Sequence, residues 1–116
     1  MDRRELGRAG EEVAAHYLER QGWRIVDRNV RARGGEIDLV AERHGVLAFV
    51  EVKTRRSRAY GIPAEAVTYR KASRIRGLAA AYLAERRPRA GSVRFDVLDL
   101  RHDGRAFRIT HLEDAF

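Results

Sequence analysis

A chain of 116 residues with 44% apolar residues is long enough for one domain with a modest core and too apolar to be disordered. It has no cysteine, which excludes a disulfide framework, a thiolate metal site and a thiol nucleophile. The net charge of +7, from 24 basic and 17 acidic residues, favours polyanions, nucleic acid before anionic membrane; a basic surface that only confers solubility is the plain alternative.

The N-terminus, Met1-Asp-Arg-Arg-Glu5, leads into a charged helical pattern and not an apolar run. The expectation is therefore a cytoplasmic protein with no signal peptide, membrane span or membrane partner. Apolar spacings of three and four predict a helix over 4–21, with Leu6, Val13, Ala14, Tyr17 and Leu18 on its stripe and Gly22 as its stop. Glu11 sits at the edge of that stripe. It is either an ordinary flank carboxylate or one that leans over the sheet.

Trp23 to Val26 reads as a short strand. Asp27 to Arg33 reads as a polar, arginine-rich connection, and Gly34-Gly35 as a breaker. Residues 36–42 and 46–53 then form a hairpin around His44-Gly45. Leu47, Phe49, Glu51 and Lys53 share one face of the second strand, because side chains alternate with period two. The register sets Val40 opposite Phe49, Asp38 opposite Glu51 and Glu36 opposite Lys53. Two carboxylates side by side repel, and a divalent cation relieves them. A one-residue slip would separate them onto opposite faces.

Beyond Lys53, Arg55, Arg56, Arg58 and Tyr60 make a basic loop with one aromatic, a composition suited to phosphate contact and base stacking or to plain solvation. A helix over 64–86 follows, stopped before Pro88. Lys71 lies on its apolar stripe, where its stem snorkels or its ammonium reaches the site of Lys53. These two are the only lysines among 24 basic residues. Arg70, Arg74 and Arg76 add charge around the helix. Val93 to Leu100 is a strand, Asp103-Gly104 a turn, and Ala106 to Leu112 the closing strand. The order is αβββαββ, a single α/β domain over 1–116. The crossover makes the third and fourth strands parallel neighbours in a mixed sheet flanked by helices.

Asp38, Glu51 and Lys53 follow the pattern of an aspartate, a variable spacer, then acidic-x-Lys. The chemistry of phosphodiester hydrolysis explains why these types go together. Two carboxylates hold Mg²⁺ or Mn²⁺ against the phosphate, the Val52 carbonyl adds a ligand, and a lysine on the same strand face orients water or stabilises developing charge. The plain alternative is a scaffold in which Glu36, Asp38, Glu51 and Lys53 form only a cross-strand ion-pair cluster with no ligand.

Gly7-x-x-Gly10-Glu11-x-x-Ala14, Gly22-Trp-x-Ile25, Arg28-Asn29, Gly35-Glu-Ile-Asp-Leu39, Phe49-Val-Glu-Val-Lys-Thr-Arg55, Lys71 and Arg94-Phe-Asp-Val97 together resemble the YraN family. These are small uncharacterised bacterial proteins placed among restriction-endonuclease-like folds, close to Holliday-junction resolvases. The resemblance implies a nuclease-type core with Asp38 and Glu51 as metal ligands and Lys53 as the catalytic lysine. It implies Glu11 as the glutamate that resolvase-like members carry on the first helix, and Lys71 as a further basic site residue. Ile37 departs from the proline common in the nuclease motif. The expectation is a Mg²⁺- or Mn²⁺-dependent endonuclease-like protein acting on structured or single-stranded DNA, with Arg55, Arg56, Arg58, Tyr60, Arg70, Lys71 and Arg74 toward nucleic acid. A resolvase would also need a homodimer. The alternative is a nucleic-acid-binding protein with this fold that does not cut.

Overall fold

The computed structural model describes residues 1–57 and 68–116. The first helix, α1 (Arg3–Arg20), starts at Asp2, whose carboxylate accepts from the Glu5 N–H at 2.8 Å. Such a cap satisfies one of the helix's orphan donors. Gly22, at φ +92°, turns the chain out of the helix, and Trp23 closes the turn by donating its N–H to Leu18 O. Three antiparallel strands follow: β1 (Arg24–Ala32), β2 (Gly35–Arg43) and β3 (Val46–Arg56). His44 and Gly45 both have positive φ, the two-residue turn that matches strand twist.

The second helix, α2 (Tyr69–Arg86), is capped by Thr68, whose hydroxyl accepts from the Lys71 N–H. The expected start at residue 64 lies outside the described residues. β4 (Ser92–His102) and β5 (Phe107–Leu112) complete the chain. The sheet order is β1-β2-β3-β4-β5. β3 and β4 are parallel along their full lengths, from Val46↔Ser92 to Arg56↔His102. This is the mixed α/β sheet in the expected order αβββαββ, consistent with a nuclease-like core. Among the described residues no helix is long and apolar enough to cross a membrane.

The helices cover opposite faces of the sheet. Ala14, Ala15 and Leu18 of α1 pack with Leu39, Ala41, Ala48, Val50, Leu98 and Leu100. Leu78, Ala79 and Tyr82 of α2 pack with Ile37, Val40, Leu47 and Phe49. Trp23 fills the end of the α1 side, with the Arg43 and Arg94 guanidinium groups at 4.5 and 5.1 Å from its ring centre.

Two expected boundaries move. The stretch read as a polar connection, Asp27 to Arg33, is strand as far as Ala32. Its arginines are exposed at the sheet edge, Asp27 accepts from Arg86 of α2 at 3.1 Å, Val26 and Val30 pack toward α2, and β2 supplies a ladder. Likewise β3 does not end at Lys53. Parallel pairing with β4 carries it to Arg56, so Arg55 and Arg56 are strand residues and not loop.

A buried polar network locks the C-terminal end. Asp96, fully buried, accepts both arms of Arg94, His111 Nε2 at 2.7 Å and the Asp114 N–H. Burial alone would raise its carboxyl, but the hydrogen bonds from His111, Arg94 and Asp114 outweigh it and hold the group down at about 2. His111 Nδ1 meets the Tyr17 hydroxyl at 3.1 Å, which ties β5 to α1.

The tightest helix–sheet contact is at Gly10. A Cβ there would stand 2.1 Å from Thr54 Oγ1 and 2.8 Å from Thr54 Cγ2. Gly10→Ala should therefore destabilise the protein by about 1–3 kcal/mol, as overpacking does, although alanine is about 1 kcal/mol better than glycine inside a helix. Urea unfolding reads the shift in midpoint, and Thr54→Ala in the same chain should restore part of it.

Candidate functional site

The site forms where β2 parts from β3. The hairpin register runs as expected from Arg43↔Val46 through Val40↔Phe49 to Leu39↔Val50, and there the ladder stops. The expected Asp38–Glu51 and Glu36–Lys53 pairs do not form. Instead Asp38 Oδ2 accepts the Val52 N–H at 2.8 Å, and Glu36 turns to β1, where Arg31 Nε lies 3.2 Å away. The strand also changes face here. Leu39 and Ala41 join the α1 side, Val40 the α2 side, and Ile37 the α2 side as well. Strict alternation would put Ile37 with Leu39. The physical reason is competition. β3 is held straight by β4, while β2 is pulled aside by its pairing with β1, and the Asp38 carboxylate fills the ladder position left open.

A cleft of about 430 Å³ opens at this point, lined by Glu11 of α1, Asp38, Glu51, Val52 and Lys53 of the parted strands and Lys71 of α2. Arg3, Arg4, Gly7 and Arg8 line it from the first turns of α1. The structure thus brings Glu11, Asp38, Glu51, Lys53 and Lys71 together. Glu11, Glu36 and Asp38 each place one oxygen within 4.8 Å of the other two. Glu51 belongs to the same cleft but is turned to Lys71, whose Nζ is 2.5 Å from Oε1. Val52 meets Asp38 through its N–H. Among the described residues Lys53 lines the cleft without an ion pair.

Electrostatics follow from this crowding. Burial first, then the Glu51 charge, push Asp38 up to about 7; the Val52 N–H acts the other way, and Glu11 and Glu36 add to the rise. Glu11 is raised by burial and then by Glu36. Crowded carboxylate oxygens, one of them costly to ionise, suit a hard divalent cation that prefers oxygen ligands. The donor set therefore fits Mg²⁺ or Mn²⁺, with Glu11, Glu36 and Asp38 as the group the geometry assembles.

The residues read as nucleic-acid contacts are dispersed. Arg55 turns inward, donating to the buried Asp99 at 3.1 Å. Arg101 Nε lies 3.6 Å from the other Asp99 oxygen. Arg56 donates to the Met1 carbonyl. Arg70 and Arg74 are exposed beside Tyr69 at the start of α2. Arg58 and Tyr60 lie outside the described residues. The sequence reading missed Arg3, Arg4 and Arg8 as cleft residues, although Arg8 and Arg4 precede Glu11 by three and seven positions and so share its helix face. It also set Glu36 opposite Lys53 and not beside Glu11 and Asp38, and it gave no role to Asn29 of β1, whose amide lies against Glu11 and Glu36.

Residues 10–100 match the model of the uncharacterised protein family UPF0102. The chain is 50% identical to a UPF0102 protein of Trichlorobacter lovleyi over 113 residues, 96% of this chain and 89% of that protein. It is 50% identical to one of Symbiobacterium thermophilum over 115 residues, 97% of each. A third, from Rhodococcus opacus, is 50% identical over 112 residues, 96% of this chain and 95% of that protein. The resemblance to the YraN family is consistent with these matches.

Asp38 generates a pH prediction. Its native pKa, about 7, lies above the ordinary value of 3.8, so between them the unfolded chain is ionised while the native protein keeps its proton. Stability contributed by this group is present below pH 4 and is lost as pH rises through 7, by at most about 1.4 kcal/mol per pH unit. The Asp96 shift, to about 2, acts below this window. Urea unfolding in EDTA from pH 5 to 8 should show stability falling with pH, and Asp38→Asn should flatten the slope.

Proposed function

This chain belongs to the uncharacterised protein family UPF0102, and from that premise we propose that it is a metal-dependent endonuclease acting on structured or single-stranded DNA. The observation that carries the reading is the convergence of carboxylates from α1, β2 and β3 with both lysines of the chain in one cleft. Glu11, Glu36 and Asp38 would hold Mg²⁺ or Mn²⁺. When bound, the cation supplies a Lewis acid at a phosphodiester oxygen and acidifies water.

The side chains divide the remaining work. Lys53, without an ion pair among the described residues, lines the cleft, where it neutralises charge that develops on the phosphate or orients water. Lys71 offsets the Glu51 charge, so that the cleft does not carry every carboxylate uncompensated. Arg3, Arg4 and Arg8 form a cationic wall for the phosphates flanking the scissile bond. Exposed Arg70 and Arg74 extend that field along α2. A four-way junction would require two such clefts facing opposing strands, and hence a homodimer.

The second reading, a protein that binds nucleic acid without cutting it, draws support from the Lys71–Glu51 pair, which occupies one of the two expected metal carboxylates. It differs in one outcome. Gel cleavage on duplex, single-stranded, flap and four-way-junction DNA, in Mg²⁺, Mn²⁺ or EDTA, separates the two. The nuclease reading expects metal-dependent products from the wild type and a loss of roughly 100-fold or more in Asp38→Asn and Lys53→Met. Salt-sensitive retardation of DNA by all three proteins, with no product in either metal, would sink it in favour of the second.

A further inference from the structure

The edge strand β1 carries one residue whose backbone and side chain are both specialised. Asn29 has φ +50°, a left-handed conformation rare in a strand and tolerated by asparagine better than by most side chains. It falls between the pairs Arg28↔Leu39 and Val30↔Ile37, and so stands across from Asp38. Its amide meets Glu36 Oε1 at 2.7 Å and Glu11 Oε1 at 3.2 Å, and with the amide turned so that its nitrogen faces these two acceptors, the orientation that carboxylates require, it donates to both.

Those two carboxylates come from elements distant in sequence and repel each other. Arg31 approaches Glu36 from the solvent side, and Arg28 is engaged with Glu12 at 2.6 Å. The Asn29 amide is the donor that spans Glu11 and Glu36. It is neutral, so it joins them without competing for the charge that a cation would take up. An arginine in its place would neutralise the cluster, and a carboxylate would add to the repulsion.

We propose that Asn29 is a positioning residue of the cation cleft: its side-chain amide holds Glu11 to Glu36 and aims both oxygens at the space beside Asp38. This rests on the reading of the cleft as a divalent-cation site. Residues that orient metal ligands through hydrogen bonds typically change metal affinity by about 10- to 100-fold when lost.

The test separates the amide from the backbone. Asn29→Gly keeps, and even favours, the left-handed conformation while removing the donor. Asn29→Asp keeps the side chain's shape and replaces the donor by a fourth carboxylate. Mn²⁺ binding to the full chain is measured by titration calorimetry, and melting is measured in EDTA at pH 7.5. The expected result is an Asn29→Gly protein that stays folded and binds Mn²⁺ roughly 10-fold or more weakly than wild type. Asn29→Asp should melt about 5 °C below Asn29→Gly in the absence of metal. Equal Mn²⁺ affinity in Asn29→Gly and wild type would overturn the role of Asn29 alone, as would equal melting of the two variants. A wild type that takes up no Mn²⁺ would overturn the cation reading and, with it, the role assigned here.

Discussion

The structure turns on the point where β2 leaves β3. β3 is paired with β4 along its whole length, and β2 follows it only as far as Leu39↔Val50. A backbone N–H left without a partner inside a sheet is costly, and Asp38 removes that cost with its own side chain. One hydrogen bond therefore does two things: it ends the ladder without an orphan donor, and it anchors a carboxylate in the gap. The cleft exists because two strands of one hairpin answer to different outer neighbours.

Close packing then brings α1 to that gap. Gly10 lets the helix backbone come down onto Thr54, and the next residue, Glu11, faces the parted strands. Gly10 is thus read better as a spacing device than as a weak point in the helix. From the other face, α2 sends Lys71 to Glu51. One side of the sheet contributes Glu11 with Arg3, Arg4 and Arg8, the other Lys71, to an opening between two strands, so the site belongs to neither hydrophobic core.

Concentrating carboxylates in this way carries a cost in electrostatic repulsion and lost hydration. The fold offsets it piecemeal, with Lys71 at Glu51, Arg31 and Asn29 at Glu36, and a proton on Asp38 near neutral pH. Away from the cleft, Asp96 and Asp99 are more deeply buried but are given arginines, and Asp96 a histidine as well. The contrast separates acids paired by arginines inside the fold from Glu11, Glu36 and Asp38, whose oxygens crowd one another. The proposed cation site rests on the second kind.

The chain alone determined the element order, the His44-Gly45 turn, the parallel neighbours on either side of the crossover, and the sharing of one strand face by Glu51 and Lys53. These follow from local periodicity, turn chemistry and crossover length, all written in neighbouring residues. The motif blocks also carried the family. Only the tertiary structure decided where the β2–β3 ladder ends, that Ile37 breaks the alternation, and that Asp27 to Ala32 is strand. It alone turned Arg55 onto Asp99, took Glu36 from Lys53 to Arg31, and brought Asn29 across to Glu11. Each of these is settled by competition among strands, helices and charged side chains far apart in the sequence. Period-two patterning has no means of recording which neighbour wins, because each contestant's own pattern is satisfied either way.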